Sequence, residues 1–125
     1  MNPINTQNIK IGLIGELLVQ LNLLQYGIQA APPLIDTGND LIAIHNNVIK
    51  AIQVKTTKIK RFPIKPKRMY HILAVVVLTT IDEKFIWEKA QIYLYNKNEI
   101  DQDQKPKFDE NHIISEKTLN FLFYN

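Results

Sequence analysis

The sequence predicts an α/β domain in which one mixed β-sheet is flanked by helices, and three observations carry that prediction. A long N-terminal stretch repeats apolar residues at three- and four-residue spacing, with Ile14, Leu17, Leu18, Leu21 and Leu24 forming one helical stripe. Two apolar segments, 40–45 and 48–56, bracket Asn46-Asn47, a pair that tolerates the positive φ of a tight hairpin turn. The run Ile72–Leu78 is β-branched and short, as a buried central strand is. With 125 residues and 46% hydrophobic content, the chain is long enough to bury a core as a single domain, 1–125.

The elements follow in order. The helix is expected over about 6–26, capped by Asn5 or Thr6 and ended by Gly27. Gly12 and Gly15 fall inside it and each costs roughly 1 kcal/mol relative to alanine. Such glycines are worth that cost where another backbone must approach closely. A short strand near 28–31 precedes the hairpin. Pro63 and Pro66 keep the segment 57–69 from being a helix interior, so it reads as an extended basic loop. A central strand is expected at about 70–79, with strand-like pieces at 84–87 and 90–95, the latter alternatively a helical turn. Residues 96–111 are polar, acidic and broken by proline, and read as a loop. Ser115 opens a C-terminal helix through Phe121-Leu122-Phe123, for which a strand is the alternative.

Composition excludes several classes. There is no cysteine, hence no disulfide framework and no thiolate metal site. No apolar run approaches a membrane span, and the N-terminus is polar rather than signal-like, so a cytoplasmic protein is expected. Repeats, a glycine-rich phosphate loop and zinc-type Cys/His spacing are all missing, and no small-molecule cofactor is expected. The net charge of +3 divides unevenly. Seven of fifteen basic residues lie between Lys55 and Arg68, with no acid among them, while the remainder has eight basic against twelve acidic residues. Lys58, Lys60, Arg61, Lys65, Lys67 and Arg68 are therefore expected to contact nucleic-acid phosphates without reading sequence. The alternative is a solvated loop.

The hairpin carries the chemistry. Centring its turn on Asn46-Asn47 places residues whose numbers sum to 93 opposite each other, so Asp40 faces Gln53 on one side of the sheet. Lys55 points the same way, because strand side chains alternate. A carboxylate, an amide and an ammonium thus converge at one end of a hairpin. A hard cation such as Mg²⁺ takes oxygen ligands and keeps several waters, so Asp40, the Gln53 amide oxygen and the Val54 backbone carbonyl suit it. Lys55 would hold the attacking water or stabilise transition-state charge. The bland alternative makes Asp40 a turn residue and the other two a solvated strand end. Asp36 is an alternative ligand, since Gly38 lets its loop fold back. Gln20, one helical turn beyond Glu16, is a weaker candidate on the same polar face. His71 follows the basic segment and reads as a structural strand-edge histidine.

Glu16 on the first helix, Asp40 at a strand start and Gln53-x-Lys55 on the next strand together resemble the PD-(D/E)XK nuclease superfamily. The likeness is to the branch in which glutamine replaces the last acid, among homing-endonuclease-like or Holliday-junction-resolvase-like members. It covers roughly the first half of the chain, from Gly15-Glu16 to Gln53-Val54-Lys55-Thr56-Thr57. Two departures stand out: Asn39, not proline, precedes Asp40, and Gln53 removes one negative charge. The resemblance implies a restriction-endonuclease-like α/β fold, with a mixed sheet flanked by helices. It also implies Mg²⁺- or Mn²⁺-dependent hydrolysis of DNA, with Asp40, Gln53, Lys55 and Glu16 catalytic and Glu16 acting toward the metal's waters. That fold normally carries a helix between its third and fourth strands. The segment 57–69 leaves little room for one, so the C-terminal segment is expected to fill that layer. A domain this small has too little surface for both DNA strands, so a homodimer is expected. A nuclease-fold nucleic-acid binder without catalysis, or an interaction domain with a basic loop, are the rival readings. The form of the DNA, whether duplex, branched or single-stranded, stays open.

Overall fold

A computed structural model describes residues 3–35, 40–62, 69–102 and 105–124, with side chains from Lys10 onward. The chain begins with α1 (Pro3–Gln25) and runs through β1 (Gln29–Ala31), β2 (Leu41–His45), β3 (Val48–Thr57) and β4 (Ile72–Val77). A small hairpin of β5 (Thr80–Ile81) and β6 (Lys84–Phe85) and a 3-10 turn at Trp87–Lys89 come next. β7 (Gln91–Asn96), α2 (Lys97–Asp101) and α3 (Glu116–Tyr124) complete the fold. The main sheet has the order β1-β2-β3-β4-β7. Only β3 and β4 run parallel, so the sheet is mixed, as the sequence predicts.

The helix starts at Pro3, earlier than expected, so Asn5 and Thr6 lie within it and do not cap it. Proline suits a first turn, where its missing N–H has no intrahelical partner anyway. The end is as expected. Gly27 adopts φ +77°, and the N–H groups of Ile28 and Gly27 donate to the carbonyls of Leu23 and Leu24, each at 3.0 Å. These are the paired bonds of a Schellman motif.

The buried face of α1 differs from the expected stripe. Val19 and Leu23 are fully buried, with Ile11, Ile14 and Leu18 at the margin, whereas Leu17, Leu21 and Leu24 are exposed together with Leu13. The helix is apolar around most of its circumference, so leucine spacing alone cannot choose a side. Gly15 chooses it. A β-carbon there would overlap the Thr56 hydroxyl and come within 3.0 Å of Thr56 Cβ, so the glycine lets α1 lie directly against β3. Gly12, by contrast, faces open space.

β4 is buried along its whole length and separates two cores. On one face, Ile52, Val54, Ala74, Val76 and Leu94 pack under Val19 and Leu23 of α1 and Leu119, Leu122 and Phe123 of α3. On the other, Leu73, Val75, Val77, Tyr93 and Tyr95 pack with Ile100 of α2 and with Phe62, Phe108 and Ile113. The C-terminal helix thus shares a face with α1. Among the described residues, no helix occupies the β3–β4 connection.

The stretch 96–111 is not a loop throughout, since α2 begins it. The Asn96 side chain accepts from the Asn98 N–H, and the Asn96 N–H donates to Glu99 Oε1, both at 3.1 Å, within a capping box. Asn96 and Glu99 carry the three-residue spacing of that motif in the sequence, but five residues are too few for periodicity to register. The basic segment begins one residue later than expected, because β3 continues through Thr57.

Beyond α2, His112 ties this segment together. Its Nδ1 lies 2.7 Å from Asp109 Oδ1, its Nε2 lies 2.8 Å from Glu99 Oε2, and its ring stacks on Tyr95 at 4.7 Å. Burial lowers the His112 pKa, but hydrogen bonds to Asp109 and Glu99 and their negative charge outweigh it, so the net shift is upward. A raised folded-state pKa means that the clamp's stabilisation is present below the ordinary histidine value near 6.5 and is lost as pH rises through the raised one. Thermal unfolding of His112→Gln against the parent should show a larger deficit at pH 6 than at pH 9. A deficit independent of pH would exclude the charged clamp.

Candidate active site at the end of the hairpin

The hairpin has the register that the sequence predicts. Leu41 pairs with Ile52 and His45 with Val48, and Asn46 takes φ +52° in the turn. One position beyond the ladder, the Asp40 N–H donates to the Ile52 carbonyl at 3.0 Å. Its carboxylate turns back onto β3, where Oδ2 accepts from Gln53 Nε2 at 2.9 Å and from the Val54 N–H at 2.8 Å.

The Val54 bond has a structural cause. Alternate residues of a strand point their N–H and C=O groups to the same neighbour. Ala51 bonds toward β4 through His71, so Ile52 and Val54 face β2. β2 begins at Leu41, and Val54 is left beyond its end. The Asp40 carboxylate supplies the acceptor that the missing strand would have given. The Val54 carbonyl points to the same edge, beside Asp40. This N–H was the contact that residue spacing did not reveal, since it depends on where β2 stops.

Gln53 is buried, and its Oε1 has no partner among the described residues. An unpaired buried carbonyl oxygen of this kind is costly unless something else satisfies it. Lys55, two residues on, is half-buried and pairs laterally with Val75, as Gln53 pairs with Leu73. Leu73 and Val75 belong to the core opposite α1, so Gln53 and Lys55 point to that face.

Glu16 approaches from the other side. It follows Gly15 on α1, which packs on the Ile52–Val54 face. Burial raises its carboxyl pKa, and the negative charge of Asp40 raises it further. Asp40, at the sheet's end, is therefore where the two faces meet. Glu16 thus lies within reach of the charge of Asp40, on the α1 side of the sheet and away from the face of Gln53 and Lys55. Gln20 lines a groove between α1 and the edge strands instead of joining the site.

The residues fit a hard cation. A Glu16 carboxyl whose proton affinity is raised by burial and by the charge of Asp40, and a buried amide oxygen without a donor, are each relieved by a positive ion. Among the described residues, no group of three or more His, Cys, Asp or Glu side chains is placed to hold a metal. An ion here would therefore depend on amide and main-chain oxygens alongside the acids. Asp36 lies outside the described residues.

The described part of the basic segment straddles the sheet's end. Lys58 Nζ sits 5.9 Å from the centre of the Phe85 ring, and Phe85 stacks on Trp87 at 5.4 Å. Lys60 Nζ sits 5.9 Å from the Tyr93 ring. Tyr93 pairs with Val75, which pairs with Lys55, so Lys60 overlies the same strand row as Lys55. Phe85 packs on the α1 side, so among the described residues Lys58 and Lys60 lie over opposite faces of the sheet. Arg61 is exposed, and Lys65, Lys67 and Arg68 lie outside the described residues. His71 has a structural role: its ring Nδ1 accepts from the Ala51 N–H at 2.9 Å, and its backbone N–H donates to the Ala51 carbonyl at 2.9 Å. Burial, then the charges of Lys50 and Lys97, lower its pKa, in the direction that favours the neutral ring this acceptor role requires.

No helix among the described residues is long and apolar enough to cross a membrane. No protein-family model matches the chain, and no curated protein does. Among solved structures, a bacterial homing endonuclease, I-Ssp6803I, matches with a TM-score of 0.58 over 90% of this chain and 88% of its own, at 12% sequence identity. At that identity the likeness is one of fold, and the mixed five-stranded sheet with its flanking helices is a nuclease-like α/β fold.

Proposed function

We propose that this protein is a metal-dependent endonuclease that hydrolyses DNA phosphodiester bonds, of the PD-(D/E)XK type with Gln53 in place of an acid. The observation that carries the reading is the contact between Asp40 and Gln53, with the Gln53 Oε1 buried and unpaired and Lys55 on the same face, inside a nuclease-like fold. Asp40, Gln53 Oε1 and the Val54 carbonyl would hold Mg²⁺ or Mn²⁺. When bound, such an ion supplies Lewis-acid polarisation of the phosphate and activation of a water.

The chain's own residues do the rest. Lys55 brings a fixed ammonium to the face of Gln53, where it opposes negative charge developing on phosphorus and its oxygens. Glu16, with its raised proton affinity, suits acceptance of a proton from a water on the α1 side. Lys58, Lys60 and Arg61 would take neighbouring phosphates from both faces, with Lys65, Lys67 and Arg68 as the further basic residues of that segment. DNA is the proposed partner, and a homodimer would bring one site to each strand.

Incubation of supercoiled plasmid with Mg²⁺ or Mn²⁺, against a chelator control, tests this. Metal-dependent nicking is expected. Binding of DNA without nicking would favour the second reading, a nucleic-acid binder. That reading has its own support, because an amide hydrogen-bonded to Asp40 forms a neutral-to-anionic pair that holds together without an ion.

Gln53→Glu separates the two further. It adds a third negative charge and removes the amide donor to Asp40, so melting temperature should fall in chelator and recover on adding Mg²⁺. If residue 53 is a ligand, Mg²⁺ affinity should rise about tenfold, the equivalent of roughly 1.4 kcal/mol. A melting temperature unresponsive to Mg²⁺ in both proteins would remove Gln53 from the ligand set.

A further inference from the structure

An exposed apolar surface lies on the outer side of α1. Leu13, Leu17, Leu21 and Leu24 are exposed by 54, 53, 57 and 60% respectively. They are spaced four, four and three residues apart, which places them on one stripe opposite the buried Val19–Leu23 face. A helix apolar on both sides is normally covered on both sides. The sheet covers only one.

Beside the stripe, a groove of about 520 Å³ runs between α1 and the edge of the sheet, with Leu21, Leu24, Ala30, Ile42 and Ile44 in its lining. We infer that this face is covered by a second copy of the same chain, packed α1 against α1 across a two-fold axis.

Three features favour a second copy over another occupant. Residues 17–35 contain no Asp, Glu, Lys, Arg or His, so the surface offers no charge pattern by which a charged partner would be selected. From Leu13 to Leu24 the stripe itself is neutral and meets its own image without repulsion, with the exposed Lys10 one turn before its N-terminal end. Leu13, Leu17 and Leu21 form an i, i+4 ridge, and two such ridges interdigitate when identical helices cross at about −50°. A two-fold contact asks for such self-complementarity.

The four leucines expose roughly 400 Å² per copy, about half of the ~800 Å² per partner in a standard interface, and the adjoining groove can supply the remainder. The interface also sits on the helix that carries Glu16, so it would fix the spacing of two candidate sites without covering the face of Lys55.

The dimer suits the proposed nuclease but is measured without DNA or metal, so either reading can fail alone. Light scattering coupled to gel filtration should give the wild-type protein twice the chain's 14.5 kDa at micromolar concentrations. Leu17→Lys with Leu21→Lys should give it once, with an unchanged circular dichroism spectrum. A wild-type protein that stays at single mass up to about 100 µM overturns the inference. So does a double variant that remains dimeric, which would place the contact elsewhere.

Should the double variant not fold, cysteine cross-linking decides instead, because the chain has no cysteine of its own. Leu17→Cys, near the middle of the stripe, should form a disulfide dimer on mild oxidation far faster than Ile49→Cys, which is at least as accessible on β3. Equal rates would overturn it. A monomer that instead sediments with phosphatidylcholine vesicles would assign the stripe to a lipid surface and equally exclude the dimer.

Discussion

Lys55→Ala should reduce metal-dependent cleavage by at least about 10²–10³-fold while leaving the melting temperature nearly unchanged, since an aimed charge of this kind typically contributes that much to rate. Lys55 is half-buried at the end of β3, and its ammonium makes no ion pair with a described residue, so truncation costs the fold little. Asp40→Ala should abolish cleavage too, but with a structural penalty. Its carboxylate accepts from the Val54 N–H and from Gln53 Nε2, and its loss strands both donors near the end of β2. Each stranded buried donor costs about 1–3 kcal/mol. Asp40→Asn retains an acceptor oxygen and should recover most of the stability without the activity. Plasmid nicking measured beside thermal melts separates these outcomes. Retained metal-dependent activity in Lys55→Ala or Asp40→Asn would refute the assigned roles.

Gly15→Ala should be among the most destabilising single-methyl changes in the chain, although alanine is the better helix former by about 1 kcal/mol. The added β-carbon would overlap the Thr56 hydroxyl and press on Thr56 Cβ at 3.0 Å and Cγ2 at 3.1 Å. Threonine is β-branched and stiff, so rotation does not remove the clash. α1 must move away from β3, at a cost of about 1–3 kcal/mol and roughly 5–10 °C in melting temperature. The same movement would withdraw Glu16 from Asp40. Thr56→Ala should restore a large part of the loss when combined with Gly15→Ala, because it removes the hydroxyl and the methyl group together. Gly12→Ala, facing open space, should stabilise slightly and serves as the control. Equal effects at Gly12 and Gly15 would rule out close helix–sheet approach as the reason for the glycine.

Those two sets of variants mark the division between what residue order decides and what assembly decides. The hairpin was legible because its side chains repeat every two residues and its turn is set by Asn46-Asn47, so a single register follows. That register brings Asp40 to Gln53 with Lys55 on the same face. β4 was legible because an unbroken β-branched run can be buried on both faces only at the middle of a sheet. The ends of α1 were legible in part, with Gly27 read correctly and the start misplaced.

The tertiary structure decided the rest, for reasons local patterns do not contain. A helix apolar nearly all round has no preferred side until another element approaches it, and the fit of Gly15 on Thr56 settles which leucines are buried. The Val54 N–H becomes a partner of Asp40 only because β2 stops at Leu41. Glu16 comes near the charge of Asp40 from the face opposite Lys55 because α1 covers one side of the sheet while Gln53 and Lys55 point to the other. α2 escapes notice because five residues are too short for a periodic signal, and only its cap marks it. Local chemistry and spacing thus singled out the residues of the candidate site, whereas the packing of helix on sheet determined the side from which each one approaches it.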